Sequence, residues 1–157
     1  GGIYSQKYTT LDELKESGGG LFKIAQDASN QSLDLQAIQD AGIITLTSEV
    51  KDLYSIADIV DNPYNFEFVT MDKDVAYSSV DEFAAYIGTS NTMVEFGLDP
   101  TVNQLYYISH ESEALGVCVN AENADTQWAK DLVAAYGSDS AKAYVIENSK
   151  GANIPVE

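Results

Sequence analysis

Basic residues are scarce in this chain: Lys and Arg total 8 against 25 Asp and Glu, a formal charge of −17 over 157 residues. Such an excess of negative charge repels phosphate backbones and anionic lipid headgroups, so nucleic acid is not expected as a partner. Cysteine is limited to Cys118, which cannot close an internal disulfide and leaves the redox compartment open. Set in the apolar run 115–119, it reads as a buried, inert thiol. His110 is the single histidine, which removes any multi-histidine metal site and leaves one general base without a nucleophile. No apolar run approaches the roughly 18 residues that a membrane-spanning helix needs, and no basic segment leads into an apolar one as in a signal peptide. Gly1 and Gly2 read as an internal start or as the remnant of a tag.

Short catalytic motifs are also missing. There is no G-x-S-x-G, H-E-x-x-H or C-x-x-C. Gly18, Gly19 and Gly20 lead into an apolar strand-like run with no Lys-Ser/Thr pair after them, so they form a turn and not a phosphate loop. Asp72, Lys73 and Asp74, with Asp81 and Glu82, lack the glycine and the alternating ligands of a calcium loop and read as charged surface. Neither an enzyme nor a bound cofactor or metal is expected; a catalytic reading would need a partner positioned beside His110.

What is present is an apolar content of 45%, enough for the core of one compact unit at this length. The chain is organised around residues 22–46. A short apolar run passes through the polar turn 27–30 into a helical stretch, 31–41, where Leu33, Ala37, Ile38 and Ala41 form one apolar stripe. Gly42 then supplies a left-handed stop. A strand that hands over to a helix through a polar turn leaves backbone N–H groups free to meet a ligand, with Ser29 or Asn30 as the alternative N-cap.

Elsewhere, Thr10 with Glu13 forms a capping box before a two-turn helix, and strands are expected at 21–25, 65–70, 84–87, 105–108 and 115–119. Residues 56–60 make one helical turn. Ser79 with Glu82 starts another short helix at 80–83. Residues 88–91 repeat the polar strand-to-helix turn ahead of a helix at 92–96 that Gly97 ends. Asp125 caps a helix with Trp128, Leu132, Val133 and Tyr136 on one face; Ser138 or Asp139 starts the last helix, which breaks at Gly151. Strands alternating with helices imply an α/β fold, a mostly parallel sheet with helices on both faces and its ligands at the carboxyl ends of the strands. The two polar turns lie there.

The order Ile3-Tyr4-Ser5-x-Lys7-Tyr8-x-x-Leu11-Asp12-Glu13-Leu14, Asp27-x-x-Asn30, Ala41-Gly42-x-Ile44, Asp58-Ile59-Val60-x-Asn62-Pro63-x-Asn65, Gly97-Leu98-Asp99-Pro100 and Lys150-Gly151-Ala152-x-Ile154-Pro155 resembles the NlpA-type methionine-binding lipoproteins. These are the solute receptors of bacterial methionine ABC importers. The resemblance covers essentially the whole chain and implies a type II periplasmic-binding-protein fold, two α/β lobes closing on an amino acid. It implies one α/β domain over 1–157, with 11–107 as the second lobe and 108–157 as the segment that returns to the first. The first part of lobe one has no counterpart. An extracytoplasmic place, a lipid tether outside this chain and the importer's membrane subunits as partners are further implications.

At the ligand positions the resemblance brings Asn30, Gln31, Thr89, Ser90 and Asn91 forward as polar contacts. The arginine that grips the ligand carboxylate in the family aligns with Leu33, and two ligand asparagines align with Thr89 and Gly116. Leucine cannot replace a bidentate cation, so an altered or lost amino-acid site is expected, with a neutral or cationic ligand favoured. The competing expectation is a ligand-free interaction module, self-associating as a homodimer through the surface that lobe one would cover.

Overall fold

The computed structural model describes residues 1–72, 77–95, 97–108, 116–149, 153 and 155. They fall into two compact units, 1–108 and 109–157. The first holds β1 (Gly2–Tyr4), α1 (Leu11–Glu16), β2 (Gly20–Ala25), α2 (Ala28–Asp40), β3 (Thr45–Leu46), β4 (Ile59–Asp61), β5 (Phe66–Met71), β6 (Ala85–Gly88), α3 (Ser90–Glu95) and β7 (Gln104–Tyr107). The second holds α4 (Gln127–Tyr136) and α5 (Asp139–Asn148).

Five strands form one sheet in the order β5-β2-β6-β1-β7, and β3 pairs with β4 in a separate ribbon. β2 is parallel to both β5 and β6, whereas β1 is antiparallel to both β6 and β7. Four strands therefore share a direction and β1 alone opposes them, so the sheet is mostly parallel. Side chains alternate across it. Ile3, Phe22, Ile24, Phe66, Ala85 and Ile87 point to one face and are buried with Leu14 of α1 and Leu35 and Ile38 of α2. Tyr4 and Tyr86 point to the other, with Phe83 and Met93 of α3. Helices thus cover both faces, as the α/β reading requires.

Several local signals act as expected. The Thr10 hydroxyl accepts from the Glu13 N–H at 3.1 Å, and the returning Glu13 carboxylate takes the N–H and hydroxyl of Thr9, both at 2.8 Å, one residue earlier than in a standard capping box. Gly42 sits at φ +68° while its N–H bonds to Gln39 O at 2.8 Å and Ile43 N–H to Ile38 O at 3.1 Å, the paired bonds of a Schellman stop. The N-cap of α2 is Asp27, not Ser29 or Asn30, and the helix begins three residues earlier than expected. Leu33 is 42% exposed. The buried line of α2 runs through Leu35, Ala37 and Ile38, because apolar residues ring much of this helix and packing against the sheet selects among them.

Three further expectations give way. Ile56–Asp58 is a single 3₁₀ turn, and Ile59–Asp61 continues as strand β4 because it pairs with β3. The N-cap of α4 is Thr126, not Asp125. Residues 116–119 form no strand and Cys118 is exposed, since an apolar run becomes a buried strand only where a sheet edge receives it. His110, Glu111, Ser112, Glu113, Leu115, Phe96 and Gly151, along with Lys73 and Asp74, lie outside the described residues. In the second unit Trp128, Leu132, Val133 and Tyr136 lie along α4 and are all exposed, as are Tyr144 and Ile146 of α5.

The approach to β2 is fixed by close contact. Gly19 lies at φ +122°, and a Cβ there would stand 2.5 Å from Asn65 O, whereas Gly18, at φ +82°, faces open space. Gly19→Ala is expected to cost about 2 kcal/mol or more, and Gly18→Ala about 1 kcal/mol. Urea unfolding of both variants checks the difference; equal midpoints would remove the role given to the Asn65 contact.

Candidate functional site

β2 and β6 are neighbouring parallel strands, so the turns that follow them emerge side by side at one edge of the sheet. The first turn is held by Asp27. Its carboxylate accepts from Asn30 N–H at 2.9 Å and from the Asn30 side-chain amide at 3.1 and 3.0 Å, and these bonds keep it below the usual carboxylate range. Gln31 Nε2 donates to Ala25 O at 3.3 Å, and Asp34 Oδ2 accepts from Ala25 N–H at 2.7 Å. Two side chains of α2 therefore grip the last residue of β2. Leu33 stands between them in sequence, on the exposed side of the helix.

The second turn carries Thr89, Ser90 and Asn91. The Thr89 and Thr92 hydroxyls lie 2.8 Å apart, and Thr89 Oγ1 also accepts from Thr92 N–H at 3.3 Å, capping the short helix α3. Ser90 is buried, and its Oγ lies 2.9 Å from the Tyr4 hydroxyl, which accepts from Gln104 Nε2 at 3.0 Å. Strands β1 and β7 thereby fix the start of α3 from below. Burial raises the Tyr4 hydroxyl above its ordinary range. Burial pushes that of Tyr86, stacked on Tyr4 with ring centroids 6.0 Å apart, up to about 12. Asn91 is exposed.

Of the residues singled out in the sequence, Asn30, Gln31 and Leu33 share one end of α2, and Thr89, Ser90 and Asn91 surround the start of α3. Gly116 belongs to the second unit, exposed and with no neighbour within 4 Å of where a Cβ would stand. Sequence reasoning passed over Lys23 and Asp34. Lys23 is 4% exposed, and its ammonium, held below its ordinary range by burial, donates to Ile87 O at 3.4 Å and feels the charges of Asp34 and Asp72. Asp34 is pushed up to about 6 by burial, against the Ala25 N–H and the Lys23 charge, which pull it down. The available signal was a lone charge inside the apolar run 21–25, on the side of the strand opposite Phe22 and Ile24.

The family model described as NlpA lipoprotein matches residues 1–157. The chain belongs to the NlpA lipoprotein family. Among its NlpA relatives, the D-methionine-binding lipoprotein MetQ of Escherichia coli K12 is 30% identical over 139 residues, 87% of this chain and 51% of the relative. The MetQ of Yersinia pestis is 31% identical over the same length. The chain spans about half the length of the curated relatives it matches. Among solved structures, a lipoprotein of Clostridium difficile 630 superposes with TM-score 0.84 at 27% identity, over 99% of this chain and 64% of that one. A nutrient-binding protein of Burkholderia cenocepacia, solved with methionine, shares the fold with TM-score 0.76 at 24% identity over 98% of this chain and 64% of its own. Within the NlpA chain, among the described residues, no three His, Cys, Asp or Glu side chains are grouped to hold a metal, and no helix is long and apolar enough to cross a membrane.

The raised Asp34 carboxyl has a consequence for stability. Because the folded state binds this proton more tightly than the unfolded chain, its contribution is complete below about pH 4 and is lost as pH rises through about 6. Asp34→Asn, which keeps an acceptor for Ala25 N–H, is expected to stabilise the protein at pH 7 by about 1–3 kcal/mol. The gain should fade at pH 4. Urea unfolding at the two pH values checks this, and a variant destabilised at pH 7 would contradict the sign.

Proposed function

We propose that this chain is the ligand-holding part of an extracytoplasmic solute receptor serving an ABC importer, and that it binds an amino-acid-like ligand without catalysing a reaction. The observation that carries the reading is the NlpA match over the whole chain, coupled with two polar turns side by side after parallel strands. Ligands of open α/β sheets gather at such an edge. Asn30, Gln31, Thr89, Ser90 and Asn91 supply its polar contacts, and residues 11–107 act as one lobe of the receptor. A lipid tether and the importer's membrane subunits complete the assembly.

The site differs from the family pattern in its charge. Leu33 stands where the resemblance implies a carboxylate-gripping arginine, and its exposure leaves room for a longer side chain there. A ligand carboxylate without its cation is costly to enclose, so methionine should bind more weakly than micromolar. With a formal charge of −17, the surface favours neutral or cationic solutes.

Calorimetry of the 157-residue chain against L-methionine, D-methionine, lysine and dipeptides tests the reading. The expected result is weak heat with methionine and at least about tenfold tighter binding in Leu33→Arg, the scale of one charge-assisted bond. Micromolar methionine binding by the wild type would overturn the altered site, and silence toward the whole panel would overturn the receptor reading. The exposed apolar face of α4 supports self-association, which sedimentation velocity checks; a monomer at high concentration would remove that part.

A further inference from the structure

The side-chain amides at the first turn are held in one orientation. Asn30 Nδ2 lies 3.1 and 3.0 Å from the two carboxylate oxygens of Asp27, and an ionised carboxylate only accepts, so the NH2 side of this amide faces it. Gln31 Nε2 lies 3.3 Å from Ala25 O, a carbonyl that likewise only accepts. In a planar carboxamide the oxygen diverges from the nitrogen, so Asn30 Oδ1 points away from Asp27 and Gln31 Oε1 away from Ala25 O. Among the described residues, neither oxygen accepts a hydrogen bond. Two acceptors from successive residues of α2 are therefore unused at this end of the helix.

The start of the helix does not reverse that polarity. A helix N-terminus carries about half a positive charge, against the full negative charge of Asp27 at the N-cap, and Asp27 already takes the Asn30 N–H at 2.9 Å. Leu33 brings no charge. Lys23 of β2 is buried, and its ammonium is directed to Ile87 O on the adjacent strand. Acceptors and a carboxylate thus dominate the turn.

We propose that the site selects a primary ammonium and not a carboxylate: Asn30 Oδ1 and Gln31 Oε1 take the ligand's N–H groups, while Asp27 orients the Asn30 amide and supplies the opposing charge. This rests on the reading of the 26–30 turn as a wall of a solute site. The ligand class is then an amine, or an amino acid whose carboxylate is masked as an amide or ester. A free carboxylate would bring oxygens against oxygens.

NMR on the 157-residue chain, following the side-chain amides of Asn30 and Gln31 during titration with methylammonium chloride or sodium acetate at matched ionic strength, tests this polarity. Shifts at both amides are expected with methylammonium and not with acetate. Acetate acting there, or neither ion acting, would overturn the proposal. Calorimetry then compares L-methionine, L-methioninamide and 4-(methylthio)butanoate. The amide is expected to bind at least about tenfold tighter than methionine, and the acid, which has no amine, most weakly. Asp27→Asn keeps an N-cap but lets the Asn30 amide turn over, and should bring methioninamide to within about threefold of methionine; a merely structural cap would leave that ratio unchanged. Gln31→Met should weaken the response to methylammonium, and an unchanged preference in both variants would overturn the assignment. Methionine or the acid binding as tightly as the amide would overturn this proposal and leave the receptor reading standing, whereas silence toward every solute would overturn both.

Discussion

The insertion of β1 between β6 and β7 is the constraint on which the first unit depends. Three residues do this work, each with a separate duty. Gly2 passes so close to β7 that a Cβ would stand 2.8 Å from Tyr106 O, Ile3 enters the core beneath α1 and α2, and Tyr4 turns to the opposite face. From there the Tyr4 hydroxyl reaches Ser90 and receives Gln104. One short strand therefore completes the sheet, contributes to both cores and holds the start of α3. Without it, β6 and β7 would have no hydrogen-bonded neighbour between them, and the second polar turn would lose its floor.

That arrangement explains why the candidate site sits where it does. Strands β2 and β6 are parallel and adjacent, so their following turns leave on the same side, while the antiparallel β1 sends its own end elsewhere. Polar side chains around the turns mostly bond to backbone or to one another: Asp27 to Asn30, Gln31 to Ala25, Thr89 to Thr92. Such bonds stiffen the two loops before any ligand arrives, which lowers the entropy lost on binding. Beneath them, the fold keeps a carboxyl whose ionisation burial opposes, as is common where function and stability compete.

Much of this was legible in the sequence, wherever the signal was local. The bonds of Thr10 with Glu13, the left-handed Gly42 and Gly97, and the alternation of Phe66 with Phe68 depend on neighbours a few residues away, and each appears in the structure. Signals that depend on distant partners were not legible. Apolar residues at 33, 35, 37, 38 and 41 allow more than one buried line on α2, and only the sheet decides for Leu35 over Leu33. The run around Cys118 has strand-like composition without a strand to join. Lys23 looks like a solvent-facing charge in an alternating strand, because its burial is created by residues more than sixty positions later. The family resemblance drew attention to the two polar turns, but not to Lys23 or Asp34.

The position of β1 also sets an order of events for the nascent chain. Its partners are Tyr86 to Gly88 on one side and Gln104 to Tyr107 on the other, so β1 cannot be hydrogen-bonded on both sides until about a hundred residues after it have been made. Pairings of such long sequence separation carry a high loop-closure cost and form slowly. β2, α2 and β5 can dock earlier, leaving the middle of the sheet open until β6 arrives to join β2 to β1, and β7 then adds the far edge. Synthesis must run past Gly88 before the centre of the sheet can close, and to Tyr107 before its last edge is in place.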